Sequence, residues 1–316
     1  MGRKPGPGAF AVIPKPPPRD GNLGFLYIPP FRVQGYSVAG EWTAIQIPEL
    51  DVCFDVGSCP KAVLASKYIA LTHGHMDHVG GLAYYFSQRQ FQGMGTGTVV
   101  CHPDMEEPLH ALMKAWVDIE QQQTPHNIVA LAPENELEIK NNIFLRSFAV
   151  DHTDNSVGYS IIERRTKLRQ EFHGLPQEKL LELKKQQVEI TRELRIPLVT
   201  YTGDTFAGEH LYRPELQQAK IAIVECTFFE PDHRERAKVG KHLHLDDLAE
   251  LLPTLTAEVV VVVHLSRRTN LSYAKNRMRE VLGEADAART LLLMDYRGNR
   301  ERYEKQRQEA EASEAV

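Results

Sequence analysis

The densest chemistry in this chain lies in Leu71-Thr-His-Gly-His-Met-Asp-His-Val-Gly-Gly81, where His73, His75, Asp77 and His78 fall within six residues. Three imidazoles and a carboxylate this close together are hard to bury, because each would need its own hydrogen-bond partner. As ligands they fit well, since imidazole nitrogen and carboxylate oxygen suit Zn²⁺ and, less selectively, Mn²⁺ or Fe²⁺. The His73/His75 pair can reach one cation and the adjacent Asp77/His78 pair a second. An apolar run ends at Leu71 and a helical pattern starts near His78, so the cluster occupies a tight strand-to-helix loop.

Four ligands do not close two sites, and the ends of other apolar runs supply more. His152 follows Ile143–Val150 in AVDHTDNS, Asp204 follows Leu198–Tyr201 in YTGDT, and His264 follows Val259–Val263 in VVVHLS. A lone loop histidine is usually only a loop residue. Three strand-end residues of ligand type, in a chain already carrying HGHMDH, read as the rest of one constellation. The expected assignment gives one metal His73, His75 and His152, the other Asp77, His78 and His264, with the Asp204 carboxylate bridging them. Two such cations bring a shared water's pKa toward neutrality and clamp the attacking and leaving oxygens of an in-line displacement. That favours a phosphodiester mildly; lactams and thioesters stay open on chemistry alone. A leaving group also needs a proton donor. Candidates lie in Lys241-His-Leu-His-Leu-Asp-Asp247 and at Glu225, which ends the run IAIVE. The plain alternative is that Asp246 caps a helix and the histidines are solvated.

The elements that must position these residues are short strands alternating with amphipathic segments. Expected strands are Thr43–Ile47, Asp51–Val56, Tyr68–Leu71, Thr98–Cys101, Ile143–Phe148, Gly158–Glu163, Leu198–Tyr201, Ile221–Glu225, Val259–Val263 and Thr290–Met294. Runs such as IAIVE and VVVVV suit strands covered on both faces. Helical patterns follow at Pro103–Glu120, Pro176–Gln187, Asp246–Leu255 and Tyr273–Leu282, which makes this an α/β layered domain over about 23–300. Arg164–Arg195 breaks the rhythm. It carries nine Lys/Arg against five Asp/Glu, a local +4 against −9 for the remainder, and reads as an insertion between core strands rather than part of the sheet.

Composition sets outer bounds. The chain has 316 residues, 42% apolar and 25% charged, ordinary for a globular protein. A net charge of −5 gives no global pull on nucleic acid, so RNA contact would need a local basic patch. Cys53, Cys59, Cys101 and Cys226 are not spaced as a zinc ribbon or disulfide framework, and read as reduced thiols in a cytoplasmic protein. No run approaches the ~20 apolar residues of a membrane span, so no membrane and no organic cofactor is expected. Residues 1–22, rich in proline, read as a flexible leader, and 301–316 as a charged tail or fraying helix.

HGHMDHVGG, DHTDNSVGY, YTGDT, ECTF, KHLHLDDL and HLSRR resemble, in order, the motifs of ribonuclease Z, the tRNA 3′-processing endonuclease of the metallo-β-lactamase superfamily. The resemblance runs from about Pro30 to Asp295. FDVGSCP, the insertion KLRQEFHGLPQEKLLELKKQQVEIT and HLHLDDL in place of the commoner HST are similar to the short, plant-like form. It implies an αββα sandwich, two zinc ions, a homodimer, and cleavage of precursor tRNA that leaves a 3′-hydroxyl. It carries the seven residues above onto the family's metal ligands, and Asp77, Glu225 and His242 onto its catalytic residues, the last two protonating the leaving oxygen. The 22-residue step from His242 to His264 matches the family pattern, which leaves His244 to buttress the loop. The insertion falls where the family's tRNA-gripping arm should be. Its Arg164, Arg165, Lys167, Arg169, Lys184 and Lys185, with Arg268, become the expected RNA contacts, chiefly to phosphate. Two departures concern recognition of the RNA end: Gly57-Ser-Cys-Pro60 replaces a glycine-threonine turn, and Thr269 stands where an aromatic is usual. The competing readings are another phosphodiesterase or small-ester hydrolase on the same scaffold, and a non-catalytic RNA-binding protein. A complete ligand set speaks against the second.

Overall fold

Side chains along the central strands alternate between two different cores, and that alternation defines the layers. Ile221 and Ile223 face one apolar cluster, while Ala222 and Val224 on the same strand face another. Val259, Val261 and Val263 divide from Val260 and Val262 in the same way. Strands buried on both faces in this manner read as continuous apolar runs.

The computed structural model describes residues 13–19 and 22–314. The first sheet runs in order through β1 (Gly24–Ile28), β2 (Phe31–Ala39), β3 (Trp42–Ile47), β4 (Val52–Phe54), β5 (Tyr68–Ala70), β6 (Thr98–Cys101) and β7 (Asn127–Ala130). The second contains β8 (Glu136–Lys140), β9 (Ile143–Ala149), β10 (Val157–Leu168), β11 (Thr191–Tyr201), β12 (Ile221–Glu225) and β13 (Val259–Val263). After β13 the short β14 (Leu265–Ser266) crosses to pair with β2, and β15 (Thr290–Leu292) pairs with β13. Each sheet is antiparallel at its start and parallel from β4 or β11 onward.

Helices cover both outer faces. On the first sheet lie α1 (Lys61–Leu64), α2 (Met76–Val79), α3 (Leu82–Phe91) and α4 (Pro103–Glu120), whose Leu82, Phe86, Met105 and Met113 pack on Ile69, Leu71 and Val99. Beyond α5 (Gln177–Lys185), the second face is covered through α6 (Pro214–Gln217), α7 (Arg234–Gly240), α8 (Leu245–Leu251), α9 (Leu271–Val281) and α10 (Glu284–Arg289), including Leu216, Ala237, Leu248 and Met278. The last helix is α11 (Tyr296–Glu314). Helix, sheet, sheet, helix is the αββα arrangement that the family resemblance implies.

Three expectations change. The insertion does belong to the sheet in part: β10 and β11 stay paired from Arg164↔Arg195 out to Leu168↔Thr191, and only the tip holds α5. Charged strands can pair there because both edges of a two-stranded ribbon face solvent. The tail is not loose over its described length, since Tyr303 and Ala310 on α11 are buried and the Phe25 and Tyr303 rings meet edge to face at 5.5 Å. Within the leader, Lys15 pairs with Glu49 at 3.1 Å and Pro14 is buried; residues 1–12, 20 and 21 lie outside the described residues. No helix among the described residues is long and apolar enough to cross a membrane.

Candidate metal centre

Most of the site's side chains sit just past, or at, the end of a strand, while Asp77 and His78 lie in α2 and His242 follows α7. His73 follows β5, His152 follows β9, Asp204 follows β11, Glu225 ends β12 and His264 follows β13. The crevice outside the carboxyl ends of such strands is the usual binding place of layered α/β folds. Two positions adopt left-handed backbone, Asp55 at φ 61° after β4 and His264 at φ 59°. Non-glycine residues do so rarely, and where they do the surrounding structure holds them for a purpose.

The imidazoles converge on Asp204. Its Oδ2 lies 3.2 Å from His78 Nε2, 3.3 Å from His264 Nε2, 3.8 Å from His73 Nε2 and 4.0 Å from His152 Nε2. Asp77 Oδ2 adds a second carboxylate, 3.6 Å from His264 Nε2 and 3.8 Å from His78 Nε2. Two groups of ligand atoms result, His73 with His75 and His152, and Asp77 with His78 and His264; Asp204 also groups with His73 and His78. His73 Nε2 and His152 Nε2 each lie within 3.2 Å of His75 Nδ1.

Whether these residues fit divalent cations can be judged from what holds them. The Asp204 Oδ1 atom is buried with no hydrogen-bond partner among the described residues. A buried carboxylate oxygen without a hydrogen-bond partner is what a group that ligates a cation would show. The opposite ring nitrogens of four of the five imidazoles, by contrast, are anchored. His73 Nδ1 meets the Thr72 hydroxyl at 3.0 Å, His78 Nδ1 meets Asp55 Oδ2 at 2.8 Å, His152 Nδ1 meets the Lys241 carbonyl at 3.0 Å, and His264 Nδ1 meets the Thr227 hydroxyl at 3.1 Å. Such partners fix the ring and turn Nε2 toward the centre, as they do around protein-bound metals. The donor set therefore fits a divalent metal.

Charge and burial act differently on the ligands: burial would lower His78, yet the Asp204 and Asp55 carboxylates raise it. Burial, with neighbouring His78, pushes the His73 imidazole well down toward its neutral, ligating form. Burial also lowers His152, against the pull of Asp204. Burial would raise Asp204, yet His264 and His78 hold it well below the carboxylate range. Asp77 is kept low despite burial by His264, by His78 and by the Gly40 N–H that donates to its Oδ2 at 2.8 Å.

Sequence reading passed over three supports of this site. Asp55 is fully buried, takes the Thr72 N–H at 2.7 Å and grips His78. Its signal is a carboxylate straight after the run ending in Phe54, the same placement as the ligands, but the sequence reading takes Asp55 into the strand Asp51–Val56. Thr72 and Thr227 stand inside the quoted motifs with no role assigned to them.

The proposed acid residues come together as a pair. His242 Nδ1 lies 2.8 Å from Glu225 Oε1, and Glu225 is fully buried, held by the Thr205 N–H and the Thr227 hydroxyl. Burial alone would lower His242, but the Glu225 carboxylate outweighs it and raises the imidazole to about 9. His242 closes on the centre, its ligand atom grouping with those of His152 and Asp204. His244 does something else: it is buried, caps α8 by accepting the Asp246 N–H, and meets the Glu230 carbonyl at 2.9 Å.

The expected RNA contacts scatter. Arg268 lines a cavity of about 290 Å³ beside His242, with Arg236 and Arg267. Arg164 lies over the Phe144 ring and pairs with Glu136, Arg165 pairs with Glu163, and Arg169 pairs with Glu189. Lys167, Lys184 and Lys185 are exposed on the arm and make no ion pair with the described residues.

Known proteins resemble this chain on both counts. The model of the beta-lactamase superfamily domain matches residues 58–265. The chloroplastic tRNase Z TRZ2 of Arabidopsis thaliana is 28% identical, over 81% of this chain and 73% of its own length. The nuclear ribonuclease Z of Triticum aestivum is 32% identical, over 52% of this chain and 94% of its own. Among solved structures, the short form of human tRNase Z superposes with a TM-score of 0.54 at 15% identity, covering 85% of this chain and 95% of that one, which speaks to the fold. Taken with the metal-ready centre, these likenesses place the chain in the beta-lactamase superfamily and, within it, in the ribonuclease Z family of metal-dependent endoribonucleases.

Proposed function

We propose that this protein is a zinc-dependent endoribonuclease that removes 3′ trailers from precursor tRNA and leaves a 3′-hydroxyl on the tRNA. The observation that carries the reading is the His242–Glu225 pair set against the Asp204 cluster. His73, His75 and His152 would hold one Zn²⁺ and Asp77, His78 and His264 the other, with Asp204 between them. When bound, the two cations supply an activated water and charge stabilisation at the phosphate.

The rest is work for the chain's own groups. Phosphodiester hydrolysis forms a bond from water oxygen to phosphorus and breaks the bond to the 3′ oxygen, which must leave with a proton. His242, held protonated at neutral pH by buried Glu225, donates it. Glu225 keeps the ring oriented through Nδ1, leaving the other nitrogen for the leaving oxygen.

Relatives bearing the tRNase Z name support tRNA as the substrate. The arm supports it too, through Lys167, Lys184 and Lys185, whose charge is not spent on carboxylates within the described residues. Arg164, Arg165 and Arg169 serve the arm's own ion pairs first, so their part in phosphate contact is shared. A homodimer belongs to this reading: Leu112, Trp116 and Ile119 lie on one stripe of α4, all exposed, an apolar face that a second copy would cover. So does a reducing, cytoplasmic compartment, on the strength of four free thiols; the chloroplastic relative makes an organelle the alternative that fractionation would decide.

The test is cleavage of a precursor tRNA with a 3′ trailer by wild type, His242→Ala and Asp77→Ala. One cut after the discriminator base, lost in both variants, supports the reading. Intact precursor with continued hydrolysis of bis(p-nitrophenyl) phosphate would leave a small-ester phosphodiesterase instead.

A further inference from the structure

The turn joining β2 to β3 separates two clefts of opposite character. On one side, Ala39 and Gly40 border the cavity that contains His242 and the arginines Arg236, Arg267 and Arg268. On the other, Tyr36, Trp42 and Tyr296 line a cleft of about 390 Å³ whose floor includes Ser58 and Pro60, and whose lining bears no charge. Trp42 is 46% exposed and Tyr296 42% exposed, which is unusual for rings of this size grouped in one place. The Tyr36 and Trp42 rings lie 5.9 Å apart, and the Tyr36 hydroxyl is tied to Glu41 at 2.5 Å, so the aromatic wall is braced from within.

The cleft also abuts the metal loop. Gly40 donates its N–H to Asp77 Oδ2, and Trp42 is two residues further along. Gly57, next to Ser58, packs so closely on the Asp77 carbonyl that a Cβ there would lie 1.8 Å from it.

We propose that this aromatic cleft binds the unpaired RNA immediately 3′ of the scissile phosphate, stacking a base on Trp42. The inference rests on the precursor-tRNA reading above. Hydrolysis that leaves a 3′-hydroxyl makes the upstream 3′ oxygen the leaving group, so the upstream nucleotide lies against His242 and therefore on the arginine side. The phosphate stays on the downstream strand, which departs on the opposite side of the Ala39–Gly40 turn. Paired bases in the acceptor stem hide their faces, whereas an unpaired trailer exposes them. A neutral aromatic cleft suits such bases and accepts any sequence, because every base has a π-face.

The chain carries two tryptophans, Trp42 and Trp116, so a Trp116→Phe protein reports from Trp42 alone. Metal-loaded Trp116→Phe protein is titrated with a short, unstructured, 5′-phosphorylated oligoribonucleotide, and saturable quenching is expected. In parallel, KM is measured for precursors carrying a single-nucleotide trailer or one of several nucleotides. Wild type gains affinity with the longer trailer, Trp42→Phe keeps that gain, and Trp42→Ala loses it, on the order of tenfold. Absence of quenching, or equal KM changes for both trailers in Trp42→Ala, overturns the assignment. Quenching without precursor cleavage retains the cleft and discards the tRNA reading; cleavage without quenching does the reverse.

Discussion

Glu225 Oε1 lies 2.8 Å from His242 Nδ1, and no part of the Glu225 side chain reaches solvent. A buried carboxylate with three partners is a fixed orienting group, and His242 at the rim is the one that can meet a substrate. His242→Ala is expected to lower kcat for precursor cleavage by roughly 10²–10⁴ while changing KM little. Glu225→Gln should fall between that variant and wild type, since the ring keeps a hydrogen-bonding neighbour but loses the charge. Single-turnover kinetics would check both, and an equal loss of metal content would contradict the assignment.

Asp55 touches no proposed substrate position, yet it holds His78 and Thr72 together. Replacing it by asparagine should weaken metal affinity by about 10- to 100-fold. Chelator competition on the metal-loaded protein measures this directly. Unchanged affinity would mean that His78 is held by packing alone.

The arm's free cations set a salt dependence. Lys184→Ala and Lys185→Ala should each flatten the slope of log affinity against log salt by just under one, the effect of losing one phosphate contact. Binding titrations with precursor tRNA at several ionic strengths would show it. A slope that stays at its wild-type value would remove α5 from the RNA interface.

Glu49 ties the N-terminal stretch to β2, bonding the Arg32 N–H and guanidinium at 2.8 Å and Lys15 at 3.1 Å. Burial would raise its pKa, but Arg32 and Lys15 bring it below the ordinary value of 4.5. A carboxyl with a depressed folded-state pKa stabilises the fold above the unfolded value and loses that contribution as pH falls through the folded one. Glu49→Gln should therefore lower Tm at neutral pH, and the gap to wild type should close below pH 4.5. Thermal melts across that range provide the comparison.

Ile119 is 70% exposed on α4, so a charge there costs the fold little. Ile119→Lys should convert a homodimer to monomer in light scattering if α4 faces a second copy. Retention of the dimer would move the interface elsewhere.

The proposed ligands were legible in the sequence because they follow the points where apolar runs stop. Runs such as VVVVV must be buried, so the polar residues that follow are forced to the sheet's end, and four such run ends carrying seven residues of ligand type announce a site. Layer order was legible for a related reason, since strands buried on both faces demand helices on the outside. What only the tertiary structure decided is how distant ends meet and what stands behind them. Asp55 and His78 are 23 residues apart, and nothing local shows that the two meet until β4 and β5 pair. The arm's strands were hidden because Arg164 and Arg195 take their shape from pairing with each other and their charge balance from Glu136, on a third strand. A hydrophobic pattern is a property of neighbours in sequence; an orienting hydrogen bond or a shared carboxylate is a property of neighbours in space, and it exists only once the chain has closed.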